Sequence, residues 1–175
     1  MATTIGERND YSVGTTWLYN KGGIYLQHVW RGKRTAPNLR SKIVELAMTH
    51  SATTVLIEEA SLGLAMLQDF WQNTPAGMVK PIGRKPLLDK LDRMHMQSTR
   101  FENGDVHLPK EAPWLADYLN ELLGFPASRH DDQVDSTSQA LAWWFEWKSR
   151  AITSFVGPIL FRIARPDFLG PSGDW

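Results

Sequence analysis

The sequence predicts an α/β layered domain built on a mixed sheet, and three observations carry that reading. Residues 11–30 hold two β-branched and aromatic runs joined by turn residues; short apolar runs and segments of helical spacing then alternate; and Thr53 to Ile57 is a continuous β-branched run. The first is a hairpin signature and the second is the element order of a layered fold. The third suits a strand covered on both faces, which requires helices packed on the sheet.

Element by element, Tyr11 to Tyr19 (YSVGTTWLY) is the first strand, Asn20-Lys21-Gly22-Gly23 the turn and Ile24 to Trp30 (IYLQHVW) the returning strand. Pro37 opens a helix whose Leu39, Ile43, Val44, Leu46 and Ala47 lie at helical spacing and which ends near His50. The run at 53–57 is the next strand, and it exits abruptly into Glu58 and Glu59. Leu62 to Trp71 reads as an apolar helix, Met78 to Ile82 as a short strand, Leu87 to Gln97 as a helix displaying Lys and Arg, and Phe101 to Leu108 as a turn and brief strand. Pro113 starts a helix running to about Leu123, which Phe125-Pro126 breaks. Asp131 or Asp132 caps a last helix running through Val134, Ser138, Leu141, Trp144 and Phe145 to about residue 147. Beyond Arg150 the pattern fades into Gly- and Pro-rich sequence. Residues 1–150 are therefore expected to form one domain and residues 151–175 a tail or linker.

The composition excludes several classes. A chain of 175 residues fits one domain, and at this length it buries roughly 70% of its unfolded surface without staples. There is no cysteine, which removes disulfides, thiolate zinc sites and cysteine nucleophiles. No stretch approaches the apolar length of a membrane span, and the N-terminus MATTIGERNDYS lacks the apolar run of a secretion signal. The expected location is the cytoplasm, away from membranes. Eight Trp are present, and since a buried indole wants a partner for its N–H, several are expected to be half-buried.

The formal net charge is zero, but it is unevenly spread. Residues 31–42 carry Arg31, Lys33, Arg34, Arg40 and Lys42 with no acid, and residues 80–100 hold six basic residues against Asp89 and Asp92. Residues 111–135 hold six acids against Arg129. Basic residues on a solvated helix face are ordinary; read functionally, Lys80, Lys85, Lys90 and Arg93 contact a phosphate backbone.

Two acidic positions carry the candidate chemistry. Ligands of layered α/β sheets gather at strand carboxyl ends, so Glu58 points into a crevice, unless it merely marks the strand's exit and charges the next helix start. The second is His130-Asp131-Asp132-Gln133-Val134-Asp135-Ser136. One acid at a helix start needs no function, but three repel one another and are best stabilised by a cation such as Mg²⁺, which takes one or two carboxylates and leaves the rest of its shell to water and phosphate. On a helix, positions 132 and 135 share a face while 131 lies off it. No GxxxxGK followed by Ser or Thr occurs, so there is no ATPase phosphate loop. His28, His50, His95, His107 and His130 show no zinc-binding spacing, although His130 abuts the acidic cluster.

Taken in order, the motifs resemble the C-terminal nuclease domain of the large terminase subunit of tailed bacteriophages and prophages. They are Gly6-Glu7-Arg8-Asn9-Asp10-Tyr11-Ser12 leading into Thr15-Thr16-Trp17, Val29-Trp30-Arg31-Gly32, Val55-Leu56-Ile57-Glu58-Glu59-Ala60-Ser61, Lys90-Leu91-Asp92-Arg93, Asn103-Gly104-Asp105-Val106-His107-Leu108-Pro109, and Glu121-Leu122-Leu123-Gly124-Phe125-Pro126 before the acidic run. The resemblance implies a ribonuclease H-like fold in which acids from separate elements bind two Mg²⁺ or Mn²⁺ ions that cut double-stranded DNA with little regard for sequence. Glu58 matches the acid ending the family's fourth strand, and Asp131 or Asp132 the acid at the start of its final helix, with Asp135 and Asp105 as second choices. Implied partners are the terminase ATPase domain, the small terminase subunit and the portal.

One departure from the pattern is expected to matter. The family's first strand carries an Asp shortly before the GERNDYS segment, and Met1 falls about where that strand ends; Asp10 is the nearest acid, but it matches the residue opening the second strand. The resemblance thus implies a fragment whose first acid is missing and whose cutting is weak or absent, with Asp10 a rescuing metal ligand only if the N-terminal segment folds back. The competing expectations are a non-catalytic remnant that binds DNA or capsid-vertex proteins, and a resolvase or transposase of the same fold.

Overall fold

The structure, a computed structural model, describes residues 11–20, 22–85 and 88–153. Asp10 and residues 154–175 lie outside the described residues, so the expectations for Asp10 and for most of the tail do too.

The hairpin forms as the sequence predicts. Strand β1 (Ser12–Asn20) pairs antiparallel with β2 (Gly23–Gly32). Asn20 Oδ1 accepts a 2.7 Å hydrogen bond from the Gly22 N–H, a turn that an Asx side chain closes locally. The register slips by one residue between Thr16 and Trp17, leaving Gln27 as the extra residue of a bulge. A third strand, β5 (Val106–His107), adds parallel to β2 at Ile24 and Tyr25, making the sheet mixed. Gly23 permits this junction. It sits at φ +145°, and a Cβ there would lie 2.5 Å from the Asp105 carbonyl oxygen, which accepts the Ile24 N–H at 2.9 Å. Gly23→Ala is accordingly expected to destabilise the fold by about 1–3 kcal/mol through backbone strain, measured as a lower urea midpoint at an unchanged slope.

A separate two-stranded parallel sheet joins β3 (Leu56–Glu58) to β4 (Ile82–Arg84). Both strands differ from the sequence reading. The β-branched run pairs only from Leu56 onward and includes Glu58, because β4 offers three residues to match it. The strand predicted at 78–82 begins at Ile82 instead, since Pro81 has no N–H to donate. Among the described residues, no strand pairs with both β1 and β3, so the sheet is divided.

The helices cover both parts. They are α1 (Ala36–Thr49), α2 (Ser61–Gln72), α3 (Lys90–Glu102), α4 (Leu115–Gly124) and α5 (Asp132–Thr153). Helix α3 starts three residues later than predicted because Asp89 is its cap, its carboxylate accepting from the Asp92 N–H at 2.9 Å. The same helix absorbs Phe101, which the sequence had placed in the following turn. Residues 151–153 continue α5 beyond the predicted end.

Helix α5 organises the core. Val134, Thr137, Ser138, Leu141, Trp144 and Phe145 recur at helical spacing and are all buried. Leu141, Trp144 and Phe145 pack on Ile24 of β2 and Val106 of β5, while Leu26, Val29 and Tyr118 form a second cluster beneath α4. The Tyr118 hydroxyl shares a 3.0 Å hydrogen bond with Thr137, and burial pushes its ionisation far above the ordinary range. Trp17, Trp30, Trp114 and Trp143 are half-buried, as so many indoles predicted; the Trp17 N–H donates to Thr15 and the Trp71 N–H to the Pro81 carbonyl.

Candidate functional site

Glu58 is the last residue of β3, where the sheet ends beneath α5. Its Oε2 accepts a 2.6 Å hydrogen bond from Gln139 Nε2. Gln139 stands four residues, one turn of about 5.4 Å, beyond Asp135 on the same helix. The strand-end acid and the acids of the helix start therefore lie along one helix, although 73 residues separate Glu58 from Asp131 in the chain. Ser136, between them, shares a 2.9 Å hydrogen bond with Thr15 of β1. Glu59 turns the other way and packs over Gly83 of β4, where a Cβ would lie 2.1 Å from Glu59 Oε1.

The three aspartates divide into two environments, and not along the lines that helical spacing suggested. Asp131 directly precedes α5, and its carbonyl accepts the Asp135 N–H at 2.9 Å, so residues 131 and 135 are already in helical register. Their carboxylates meet at one cation: Lys90 Nζ lies 2.9 Å from Asp131 Oδ1 and 2.6 Å from Asp135 Oδ2. The other Asp135 oxygen takes Arg93 Nη2 at 2.5 Å, while Arg93 Nη1 donates to the Leu88 carbonyl at 2.6 Å. Although burial lowers the affinity of Lys90 for its proton, the two aspartates outweigh that and raise its pKa.

Asp132 stands apart. No basic side chain reaches it within ion-pair distance among the described residues, and its pKa is raised by burial first and then by the charges of Glu121 and Asp131, with Arg31 and Lys90 offsetting only part. Glu121 itself is buried on α4. It accepts the Gln133 N–H and the Gln133 side-chain amide, both at 2.6 Å, with Arg31 Nη1 at 3.8 Å. Arg31 in turn lies over the Tyr11 ring at 4.0 Å, and Tyr11 packs edge-on against His130. His130 thus has an aromatic partner that accounts for its place.

A raised carboxyl pKa means that the ionised Asp132 costs the fold free energy. That cost is present above the folded-state pKa and disappears below the unfolded value of about 3.8, where both states are protonated. Asp132→Asn is expected to raise the melting temperature at pH 7, with the gain shrinking as the pH falls through the window above 3.8. Melts of both proteins across pH 3.5–7 check the sign.

The donor set fits a hard cation in part. All candidate ligands are carboxylate oxygens, and a positive charge is already held between two of them at 2.6 and 2.9 Å by the Lys90 ammonium. Among the described residues, no three His, Cys, Asp or Glu side chains converge as a complete metal cage. Asp105 acts through its backbone at Gly23, by the Trp144 end of α5 and away from the acids. Lys80 and Lys85 flank β4 and are exposed, whereas Lys90 and Arg93 are engaged with the aspartates.

A mixed α/β sheet with carboxylates brought from a strand end and a helix start to one helix defines a domain of ribonuclease H-like type. Residues 1–142 match the family described as the terminase RNaseH-like domain, and the chain belongs to that family. Comparisons with curated proteins and with solved structures find no match. Among the described residues no helix is long and apolar enough to cross a membrane.

Proposed function

We propose that this domain is the metal-dependent endonuclease of a phage DNA-packaging terminase, cutting double-stranded DNA as it is packaged. The observation that supports this reading best is the placement of Glu58 beside Gln139, on the helix whose start carries Asp131, Asp132 and Asp135. When bound, Mg²⁺ or Mn²⁺ supplies an activated water and neutralises charge developing on the phosphate. The chain's own part is to present Glu58 and the helix-start aspartates Asp131, Asp132 and Asp135 as ligands. Gln139 fixes the Glu58 carboxylate, and the exposed Lys80 and Lys85 hold the DNA backbone. The terminase ATPase domain, the small subunit and the portal are the partners this function requires.

Supercoiled plasmid incubated with the protein and Mn²⁺ tests the reading. Slow, Mn²⁺-dependent nicking that weakens as salt rises is the expected result; nicking that EDTA leaves intact would overturn it. A second reading, a DNA-binding module that does not cut, is favoured by the neutralisation of Asp131 and Asp135 by Lys90 and Arg93. Retardation of duplex DNA with no cleavage in either metal would establish that alternative.

A further inference from the structure

The two basic residues that hold Asp131 and Asp135 are not equivalent. The Arg93 side chain is 11% exposed and is tied at both ends, to the Leu88 carbonyl and to Asp135. The Lys90 side chain is 47% exposed and belongs to the first residue of α3, and among the described residues its ammonium pairs with the two aspartates. A cation at a helix N-terminus is opposed by the helix dipole, and a lysine stem can swing an ammonium into water at little cost. Arg93 is built as a strut, and Lys90 as a removable charge.

We propose that Lys90 is a resident counter-ion that excludes a divalent metal from Asp131 and Asp135, so that metal and ammonium occupy this position in alternation. The inference rests on the metal-dependent reading above. With Lys90 in place, the charges of Lys90 and Arg93 cancel those of the two aspartates, and an incoming ion meets an ammonium within 3 Å of the oxygens it needs. Once Lys90 swings out, both Asp131 Oδ1 and Asp135 Oδ2 are open, and the released ammonium becomes available to a DNA phosphate beside the metal. Metal loading and DNA capture are coupled through one side chain.

Calorimetric titration of Mn²⁺ into the wild type, Lys90→Gln and Lys90→Arg tests this directly. Lys90→Gln removes one exposed and one half-buried ion pair that the metal must otherwise displace, so it is expected to bind Mn²⁺ about threefold to tenfold more tightly. Lys90→Arg keeps the charge and is expected to bind no more tightly than the wild type. A second readout needs no variant: acylation of the Lys90 amine, followed by mass spectrometry, is expected to speed up severalfold when Mn²⁺ is added. Equal Mn²⁺ affinity in wild type and Lys90→Gln, or acylation indifferent to Mn²⁺, overturns the proposal while leaving the metal-dependent reading intact. Absence of Mn²⁺ binding in all three proteins overturns both.

Discussion

Glu121→Ala is expected to lower the unfolding free energy by about 3–5 kcal/mol, the loss typical of removing one partner from a buried charged network. Glu121 is 6% exposed, and its two oxygens each accept a 2.6 Å hydrogen bond from Gln133, one from the main chain of the first turn of α5 and one from the side-chain amide. Truncation leaves both donors without an acceptor. It also strands Arg31, whose Nε and Nη2 are already buried without partners. Glu121→Gln keeps one oxygen for Gln133 and removes the charge, so its loss is expected to be smaller, about 1–2 kcal/mol. It also relieves one cause of the raised pKa of Asp132, which should move back toward the ordinary carboxylate range. Urea unfolding measures the first effect and carboxyl NMR titration the second. Glu121→Ala within about 1 kcal/mol of the wild type would show that the network carries no such weight.

Glu58→Gln is expected to reduce Mn²⁺-dependent nicking at least about 100-fold, equivalent to roughly 2.7 kcal/mol of transition-state stabilisation. The variant isolates charge from structure. A glutamine at 58 retains an oxygen that accepts from Gln139 Nε2, so the link from β3 to α5 survives and the melting temperature should stay within about a degree. What is lost is the carboxylate as a hard-metal ligand. Nicking by Glu58→Gln at the wild-type rate would remove Glu58 from the site, whatever the fate of the aspartates.

Much of the fold was readable because periodicity and turn chemistry agree along the chain. The hairpin is signalled by β-branched runs flanking Asn20 and Gly22, and α5 by apolar residues recurring from Val134 to Phe145. The misplaced elements are those set by partners. A three-residue strand such as β4 has no period to read, and its start depends on Pro81 and on what β3 offers. For α3, the Asp89 cap outweighed the apolar residues before it. Glu58 and the helix-start acids stood out as candidates because acids at a strand exit and in a cluster are unusual. The division among the aspartates was not, since it depends on where α3 and α4 deliver Lys90, Arg93 and Glu121. Glu121 was visible only as one acid among six in its segment, and nothing local marks it as the partner of Gln133. Gln139 had a usable signal: it lies four residues past Asp135, on the same helix face.

Helix α5 touches the two sheets in chemically different ways. The larger sheet grips it through Ile24, Val106 and the buried indole of Trp144, whereas β3 and β4 reach it through Glu58 to Gln139 and through the paired hydrogen bonds, 2.9 and 3.1 Å, of Arg84 with Glu146. Polar links at a partly wet surface exchange readily with water, and contacts of that kind open first in native-state fluctuations. The smaller sheet therefore behaves as a leaf on an axle. In amide exchange, β3, β4 and α2 are expected to behave as a unit that lifts from α5 before the hairpin frays, carrying Glu58 away from Gln139 while the aspartates stay where the axle holds them. The link between Glu58 and the helix that carries the aspartates is thus kept by a wet, polar joint, and anything that clamps the leaf shut holds Glu58 at α5 without touching Glu58 or the aspartates.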